Sequence, residues 1–457
     1  MISRIAHKIM KKIPKSQAAY QAGRSTTEHV MAFKLLAEKA ITSADFELYI
    51  LMKDMSRAFD TVNRKLLMED LREILEDDEL HVCKLLLEDV SLMVRCGQSC
   101  GETFNTNIGT PQGDCLSPLL FILYLANALK PEIPVTSSDH TYCIKEDTPM
   151  FHDDHTYSKM NRQNPTKDAD NNLDESIDAQ YADDINYLTQ NYSVVQHHKR
   201  SIPPKLKKRD LISNDSKDEE YHVTRKKYDP STCVNCAECK RCMKCQKCKS
   251  CPYCKNWKQC KCLGSMIDTD TDIRRRKARA LEALRKLDHV WKNERTSIKT
   301  KVMFFNALVG SIFLYNASLW SMNETRNGQV NSFQRRMLRY AINIKWPRKI
   351  SNDNLYNITK QVKWSDIISY RRLTWFGHLI RLPESTPARR ALRIAESDVT
   401  RPRGRQKTTW LGCVKDQLKT MNKNYNEAKT MALDRVGWRG ITQQIRPQWA
   451  EVPGMGR

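Results

Sequence analysis

One hexapeptide, Gln180-Tyr181-Ala182-Asp183-Asp184-Ile185, carries the strongest structural signal in this 457-residue chain. An aromatic and a small residue precede its two adjacent carboxylates, and residues 185–188 continue the run with Ile, Asn, Tyr and Leu. This pattern predicts two strands joined by a tight turn that carries the acids. Carboxylates placed side by side can hold divalent metal ions at the phosphates of a nucleotide. Because paired aspartates are also common in solvated turns, the hexapeptide needs support from elsewhere in the chain.

Two further motifs precede the hexapeptide and supply that support. The first is Leu51-Met52-Lys53-Asp54-Met55-Ser56-Arg57-Ala58-Phe59-Asp60, in which an apolar run typical of a buried strand ends at Asp54. The second is Gly109-Thr110-Pro111-Gln112-Gly113-Asp114-Cys115-Leu116-Ser117-Pro118. Its glycines and proline predict a loop that lets the backbone approach a ligand closely, with Gln112 at the crest. An apolar helix is predicted directly after it, at residues 119–129.

In this order the three motifs resemble the palm motifs of reverse transcriptases, specifically those of non-LTR (LINE-type) retrotransposons. The resemblance implies an α/β fold: a right-hand polymerase palm with partial fingers, then a helical thumb and a basic helical C-terminal region. It also implies RNA-directed DNA synthesis, a nucleotidyl transfer from a dNTP to a primer 3′-hydroxyl. The expected partners are therefore an RNA template, a DNA primer and dNTPs.

The same resemblance assigns the metal ligands to Asp54, Asp183 and Asp184. Two cations about 3.5–4 Å apart can activate the attacking hydroxyl and stabilise the leaving pyrophosphate. Mg²⁺ prefers oxygen ligands from carboxylates, phosphates and water. We therefore expect Asp54 and Asp183 to bridge two Mg²⁺ ions, for which Mn²⁺ could substitute, and Asp184 to support them.

Four residues are candidates for contact with the nucleotide. Phe59 matches the family's steric gate, which excludes a 2′-hydroxyl, although an ordinary core aromatic is the alternative. Gln112 and Gly113 would line the pocket of the nascent base pair. Residues 17–30 resemble the segment that links fingers to palm, and there Arg24 could touch template or nucleotide. A helix-capping neighbourhood around residues 25 and 26 is the other interpretation of Arg24.

Two shorter motifs extend the resemblance. Residues 213–220 look like a motif usually written Asn-x-x-Lys-Thr-Glu, which makes Lys217 a candidate general acid for the pyrophosphate. Asp218 stands where threonine is usual, and a solvated lysine is an equal alternative for Lys217. Residues 261–265 resemble the Lys-Tyr-Leu-Gly-Ser hairpin that grips the primer end, with Cys262 in place of the aromatic residue.

Composition agrees with a nucleic-acid partner without proving one. Lys and Arg total 76 against 53 acids, a net charge of +23, which favours phosphate backbones but would also fit a ribosomal or chromatin protein. The chain has no run of 18 apolar residues and no signal-peptide core at its start. We therefore expect no membrane partner and an intracellular location, in the nucleus and/or cytoplasm. There its 16 cysteines should be thiols or metal ligands rather than disulfides.

A ladder of cysteines recurs at every third residue between positions 233 and 254. The Cys-x2-Cys spacing suits zinc–thiolate ligation, so Zn²⁺ is a possible second metal. An unbroken period of three permits many ligand registers, and expansion of a short genetic repeat would look the same. The candidate zinc ligands are Cys233, Cys236, Cys239, Cys242, Cys245, Cys248, Cys251 and Cys254.

The C-terminal half is helical and cationic by pattern. Between residues 272 and 320 two apolar stripes recur at helical spacing. Between residues 330 and 395 tryptophans interleave with cations, which suits contact with RNA or a single strand, although helical core plus solvated surface is the alternative. The first stripe comprises Ile273, Ala280, Leu284, Leu287 and Trp291, the second comprises Val302, Phe305, Leu308, Ile312 and Tyr315, and the tryptophans are Trp346, Trp364 and Trp375.

Shifts in composition and motif content divide the chain into seven predicted segments. Most of the family's fingers and any upstream endonuclease are missing, so we expect an N-terminally truncated chain whose own activity is an open question. Two other functions stay open: an inactive remnant that binds nucleic acid, and a zinc-dependent binding module. The segments are partial fingers and palm (1–135), a mobile insertion (136–178), palm completion with the acidic hairpin (179–232), the Cys-rich ladder (233–262), primer-grip hairpin and thumb (263–325), a basic helical post-thumb region (326–400), and linker with C-terminal tail (401–457).

Overall fold

The structure, a computed structural model, groups the described residues into two compact units. Unit 1 comprises residues 1–29, 46–255 and 385–387, and unit 2 comprises residues 30–45, 256–384 and 388–457. The parts of the chain that the structure describes are residues 2–111, 113–130, 176–225, 256–397 and 405–447.

Unit 1 mixes helices and strands. Its helix α2 continues into unit 2. In chain order the elements are α1 (Ile2–Met10), α2 (Thr26–Thr42), β1 (Leu48–Lys53), β2 (Met55–Ser56), α3 (Arg64–Arg72), α4 (Asp77–Leu87), β3 (Val90–Cys96), β4 (Ser99–Thr106), α5 (Ser117–Leu129), β5 (Ile177–Tyr181), β6 (Asp184–Thr189), α6 (Tyr192–Lys207), β7 (Ile212–Ser213) and β8 (Glu219–Val223).

The centre of unit 1 is an antiparallel sheet in the order β5-β6-β1-β8. The predicted strand, turn and strand around the adjacent acids are confirmed as β5, the turn Ala182-Asp183, and β6. The predicted apolar helix is also confirmed, as α5, and most of its side chains are buried. Apolar residues of α1, α3, α5 and α6 form one core with those of β1 and β6. This core favours a single register because a slip of one residue would replace the side chains of β1 that pack against it with those of the other buried face.

The described part of unit 2 is almost entirely helical, and a short hairpin lies directly before α7. In chain order the elements are β9 (Lys261–Cys262), β10 (Ser265–Met266), α7 (Thr269–Lys286), α8 (Asp288–Lys292), α9 (Ile298–Phe304), α10 (Ser311–Leu314), α11 (Glu324–Ala341), α12 (Asn352–Thr359), α13 (Trp364–Arg381), α14 (Pro387–Glu396), α15 (Trp410–Thr420), α16 (Tyr425–Leu433) and α17 (Arg435–Gln443).

The first predicted apolar stripe of unit 2 is confirmed in α7, where Ile273, Ala280 and Leu284 are buried. The second stripe is wrong beyond residue 305. A π-helical turn, Phe305–Gly310, joins α9 to α10, and it contains more residues per turn than an α-helix. Burial therefore moves to Val309 and Phe313, whereas Leu308 is exposed.

One described segment, Ile298–Leu319, is long and apolar enough to span a bilayer by length and composition alone. A core helix of a soluble protein meets the same criterion. Half of the segment's apolar window is buried inside the protein, where Phe305, Val309 and Phe313 belong to the core of unit 2. The absence of a membrane span stays a prediction.

Helices α13 and α17 touch at a glycine. A Cβ at Gly377 would lie 2.1 Å from Nε1 of Trp438, whose indole is buried and donates to the Leu373 carbonyl at 2.9 Å. We expect Gly377→Ala to lower the free energy of unfolding by about 1–3 kcal/mol, because the ring must move or lose its hydrogen bond. Denaturant unfolding followed by circular dichroism measures this.

The matched control is Gly440→Ala, in the same helix as Trp438 and open to solvent. Because alanine is the better helix former, this variant should gain up to about 1 kcal/mol. Equal unfolding midpoints for the two variants would contradict the packing described for Gly377.

Candidate active site

Three acids lie at the same end of the sheet in unit 1. Strands β1 and β6 are antiparallel, with Lys53 opposite Ile185. Asp54 follows the first of these residues and Asp184 precedes the second, so the two acids lie at neighbouring backbone positions. Opposing positions of an antiparallel pair are about 5 Å apart between Cα atoms. Asp183 is beside them in the turn between β5 and β6.

The turn that carries Asp183 is held by a side chain from a distant segment. Ala182 has a φ of +54°, a left-handed conformation that costs a non-glycine residue about 1–2 kcal/mol. The amide of Gln17 bonds both polar groups of Ala182: Nε2 donates to the carbonyl at 3.2 Å, and Oε1 accepts from the N–H at 2.9 Å. Oε1 also accepts from the N–H of Ala19 at 3.0 Å. Gln17 is 1% exposed, so these bonds are shielded from water.

Backbone bonds fix the segment around Gln17 against β5. The N–H of Gln180 donates to the Ser16 carbonyl at 2.9 Å, and the N–H of Ala18 donates to the Gln180 carbonyl at 3.0 Å. The segment therefore runs parallel to β5 at Gln17. Sequence reasoning assigned no role to Gln17, because an amide that holds a turn 165 residues away leaves no local pattern.

A histidine lies behind the same hairpin. Burial lowers the pKa of His29 to about 3, so its ring is neutral. Its Nε2 lies 3.1 Å from Nδ2 of Asn186 in β6, and a neutral ring nitrogen can accept this hydrogen bond. The ring also packs edge-on against Tyr181. His29 thus supports the hairpin as a structural residue.

A five-residue loop faces Asp54 from the other side. β1 pairs with β8 as far as Met52 opposite Glu219, and β2 pairs with β7 from Met55 opposite Ser213. Residues 214–218 therefore bulge opposite the two residues Lys53 and Asp54. The N–H of Asn214 donates to the Asp54 carbonyl at 2.9 Å, which anchors the start of this loop.

Three ion pairs, one of them with the opposite polarity, tie this loop to Lys53 and Asp54. Nζ of Lys217 lies 3.3 Å from a carboxylate oxygen of Asp54. Nζ of Lys53 lies 2.5 Å from Asp218 and 3.3 Å from Asp215. Burial raises the pKa of Asp218, and the hydrogen bond from Lys53 opposes that shift. Lys217 is thus beside a predicted metal ligand, and Asp218, which departs from the family's threonine, pairs with a lysine whose side chain is 2% exposed.

The Gly-Thr-Pro loop packs on the turn that follows Phe59. The N–H groups of Gly109 and Thr110 donate to the carbonyls of Val62 and Phe59, both at 2.8 Å. Gly109 has a φ of +75°, and a Cβ there would lie 2.8 Å from the Asp60 carbonyl oxygen, so only glycine fits.

Of the predicted nucleotide contacts, Phe59 is half-buried and stacks on Phe121 of α5, with ring centroids 4.2 Å apart. Gly113 is exposed, and Gln112 lies outside the described residues. The guanidinium of Arg24 contacts Glu28 at 2.6 Å and donates to the Lys15 carbonyl at 2.9 Å. Its side chain is 10% exposed and pairs with Glu28 of α2, as expected of a structural residue. A nucleotide contact for Arg24 stays a prediction.

The predicted primer-grip motif forms the hairpin of β9 and β10 in unit 2. Arg276 of α7 donates to the Gly264 carbonyl at 2.6 Å, and the hydroxyl of Tyr315 donates to the Leu263 carbonyl at 3.1 Å. The turn of the hairpin is thereby fixed to the helices behind it. Cys262, which replaces the family's aromatic residue, is buried and offers no stacking surface.

The acids suit a hard cation without enclosing one. Among the described residues, no group of three or more His, Cys, Asp or Glu side chains could hold a metal by itself. Mg²⁺ commonly takes one or two carboxylates and completes its shell with water and substrate phosphates, so no ready-made cage is required. Asp54, Asp183 and Asp184 supply oxygen ligands of the right kind. The eight cysteines predicted to bind zinc lie outside the described residues.

Comparison with known proteins adds independent findings. Residues 1–267 match the family model described as "Reverse transcriptase (RNA-dependent DNA polymerase)". A Drosophila melanogaster protein, "Probable RNA-directed DNA polymerase from transposon X-element", is 29% identical over 122 residues. This match covers 26% of the present chain and 13% of the Drosophila protein, a small part of its length.

Two solved structures show weak overall similarity. Apo telomerase from Candida tropicalis has a TM-score of 0.39 at 13% identity, over 97% of this chain and 60% of that one. Telomerase from Candida albicans, in complex with a TWJ fragment of telomeric RNA, has a TM-score of 0.32 at 11% identity, over 86% and 58%.

The amide of Gln17 should be required for the geometry of the acidic turn. Gln17→Ala leaves a buried N–H at Ala182 without an acceptor, which costs about 1–3 kcal/mol of stability. Hydrogen–deuterium exchange of the peptide spanning 180–185 should accelerate, and urea unfolding should shift to lower concentration. Gln98→Ala, at an exposed position between β3 and β4, is the matched control and should change neither. Unaltered exchange in Gln17→Ala would contradict this role.

The Lys53–Asp218 pair should behave as a coupled unit. Lys53→Met alone leaves a buried carboxylate without its main partner and should cost about 3–5 kcal/mol. Asp218→Thr alone should also destabilise, whereas Lys53→Met with Asp218→Thr should recover most of the loss. A double-mutant cycle in urea should give a coupling energy of about 1–3 kcal/mol.

The exposed pair of Lys286 with Glu282 is the reference for this cycle. Its coupling energy should stay below about 1 kcal/mol, since water screens both charges. Additive effects at Lys53 and Asp218 would show that the two side chains do not act on each other.

Proposed function

The chain belongs to the reverse transcriptase (RNA-dependent DNA polymerase) family, and we propose that it acts as the RNA-directed DNA polymerase of a non-LTR retrotransposon. The proposed substrates are an RNA template, a DNA primer and dNTPs. The observation that supports the proposal is the register of β1 and β6, which sets Asp54 opposite Asp184, next to a turn held by Gln17 and a loop, 214–218, paired with Asp54. We further propose that it acts inside the cell, in the nucleus and/or cytoplasm.

The polymerase anatomy is part of the same proposal. We assign the palm to the sheet of unit 1 with α3, α5 and α6, and the partial fingers to the residues before β1. The hairpin of β9 and β10 would grip the primer end, and helices α7 to α10 would form the thumb. The helices from α11 onward would form the basic C-terminal region.

The proposed chemistry is an in-line displacement at the α-phosphorus of the dNTP. The 3′-oxygen of the primer forms a bond to that phosphorus. The bond between the α-phosphorus and the oxygen that bridges it to the β-phosphorus breaks, and the hydroxyl proton passes to solvent. Asp54 and Asp183 would hold two Mg²⁺ ions, with Asp184 in support. When bound, the ions activate the hydroxyl and neutralise charge on the leaving pyrophosphate.

Lys217 would serve as the general acid by giving a proton to the departing pyrophosphate. In the structure its ammonium is paired with Asp54, and its side chain is 66% exposed. A side chain this exposed could separate from Asp54 and contact a phosphate if the Asp54 carboxylate bound a metal ion instead. The buried Lys53–Asp218 pair would keep the loop in place during this exchange.

The remaining candidates are proposed to line the nucleotide pocket. Phe59 would exclude a 2′-hydroxyl, while its stacking on Phe121 would fix the ring. Gln112 and Gly113 would lie against the nascent base pair, and Arg24 would contact the template or nucleotide after release from Glu28. This last requirement favours the second candidate function, an inactive remnant that only binds nucleic acid, because Arg24 is already satisfied within the protein. A zinc-dependent module on the cysteine ladder stays a prediction.

Primer extension on an RNA template tests the proposal directly. The wild-type chain should extend a DNA primer with Mg²⁺ or Mn²⁺. Asp54→Asn and Asp183→Asn should each lose at least about 100-fold in rate, since each removes an anionic ligand at the reacting phosphate. Asp77→Asn, an exposed acid at the start of α4, should extend like wild type.

Binding of the template–primer hybrid by each variant, measured by fluorescence anisotropy, should be unchanged, so that the loss lies in the chemical step. If the wild type binds the hybrid but never extends it with either metal, the enzyme proposal for this chain fails. The binding remnant would then take its place.

A further inference from the structure

The three tryptophans that interleave with cations in the sequence have different environments in unit 2. Trp364 is fully buried in the helical core. Trp375 is half-buried and packs against His378, with ring centroids 4.9 Å apart. Trp346 is 82% exposed, the highest value for any large apolar side chain in the described residues. Of the three, Trp346 therefore has the ring most accessible to a partner.

Trp346 lies at the tip of a loop whose base is fixed. Residues 345–349, between α11 and α12, are all exposed. The N–H of Ile344 donates to the Arg339 carbonyl at 2.9 Å on one side of the loop. The guanidinium of Arg339 donates to the Ile350 carbonyl at 3.1 Å and to Asn352 at 2.9 Å on the other side. One arginine thus holds both ends, and the tip projects from a defined base.

The loop is cationic around its aromatic ring. Its sequence is Lys345-Trp346-Pro347-Arg348-Lys349, with three cations and no acid. Nζ of Lys349 lies 5.9 Å from the centroid of the Trp346 ring. Cations within this distance are attracted to an aromatic face.

The neighbouring surface continues the same chemistry. Tyr340, in the last turn of α11, is exposed and donates to Asp288 at 2.6 Å. Lys292 pairs with the same carboxylate, and Lys292, Tyr340 and Lys345 together hold the pKa of Asp288 below its usual range. The Asp288 carboxylate is therefore already paired with a cation, and a second acid near the loop is Asp353 in the first turn of α12. We call Tyr340, Lys345, Trp346, Arg348 and Lys349 the Trp346 surface.

We propose that the Trp346 surface binds single-stranded nucleic acid, with a base stacked on Trp346 and the flanking phosphates on Lys345, Arg348 and Lys349. A base on an aromatic side chain contributes about 1–3 kcal/mol, and the interaction tolerates any sequence because every base has a stacking face. A duplex keeps its bases stacked on one another and offers this surface only phosphates. The proposed contacts are to base faces and phosphates, which RNA and DNA share, so single strands of either should bind with similar affinity. This binding site is separate from the catalysis proposed for unit 1.

Cross-linking tests the location of the site in the full chain. A 12-nucleotide RNA carrying 5-bromouridine is irradiated with the protein, and the linked peptides are identified by mass spectrometry. We expect a link within residues 345–349, competed equally by single-stranded DNA of the same length and far less by duplex. No link in this peptide, when links form elsewhere on the chain, overturns the proposal. If phosphatidylserine vesicles compete with the RNA for this link but single strands do not, the surface binds a membrane instead.

Variants test the chemistry of the site. Trp346→Ala should lower the yield of the local link by about 5- to 100-fold, as loss of one stacked base requires, and Trp346→Phe should retain most of it. Val436→Ala, which truncates another exposed apolar side chain, is the matched control and should leave the link unchanged. Equal yields for Trp346→Ala and Trp346→Phe would overturn the stacking contact.

Salt dependence tests the phosphate contacts independently. Arg348→Ser and Lys349→Ser should each reduce the slope of log affinity against log salt by about 0.7, the value for one phosphate contact on a single strand. Lys84→Ser, an exposed lysine of unit 1, should leave the slope unchanged. Unchanged slopes in both loop variants would overturn the electrostatic part of the proposal. Because all these side chains are exposed, the variants should unfold at the wild-type denaturant concentration.

Discussion

The backbone ladder between β1 and β6 is the constraint on which the proposed site depends. It sets Lys53 opposite Ile185, and that register alone brings Asp54 to the acidic turn. A slip of one residue would reverse the faces of every side chain in β1, so that Leu48 and Ile50 would replace Tyr49 and Leu51 against the core of α5. The core of α5 and its neighbours opposes such a slip, because it packs against the face of β1 and β6 that carries Tyr49, Leu51 and Tyr187. Packing energy far from the acids thus determines their position.

Around this ladder, distant segments hold the flexible parts of the site in place. Gln17 stabilises a left-handed turn residue, and the 214–218 loop is held by ion pairs that cross between loop and strand. Burial makes the Gln17 bonds and the Lys53–Asp218 pair obligatory, since a buried amide or charge without its partner costs several times what the contact contributes. A site that must bind metal-bound phosphates benefits from supports that are themselves rigid.

The large positive charge of the chain has two distinct physical uses. Some cations are structural: Arg64 donates to the Gly109 carbonyl, Lys301 donates to the Trp291 carbonyl, and Arg276 holds the hairpin of unit 2. All three are buried and cannot meet a phosphate. Others, such as those around Trp346, are exposed on a fixed loop. The net charge of +23 therefore overstates the surface that is available to nucleic acid.

The sequence by itself determined the order of the three motifs, the acidic hairpin, helix α5 and the apolar stripe of α7. Each of these depends on local periodicity or on turn residues close together in the chain, and the family follows from the same motifs. Only the tertiary structure decided that Gln17 holds the Ala182 turn, that Asp218 pairs with Lys53, and that Trp346 is exposed while Trp364 is buried. These features arise from contacts between segments far apart in sequence, and side-chain burial depends on which surfaces meet. The π-helical turn in unit 2 is a further feature of this kind. It changes the number of residues per turn, so that Val309 is buried instead of Leu308, and no local sequence pattern predicts this change.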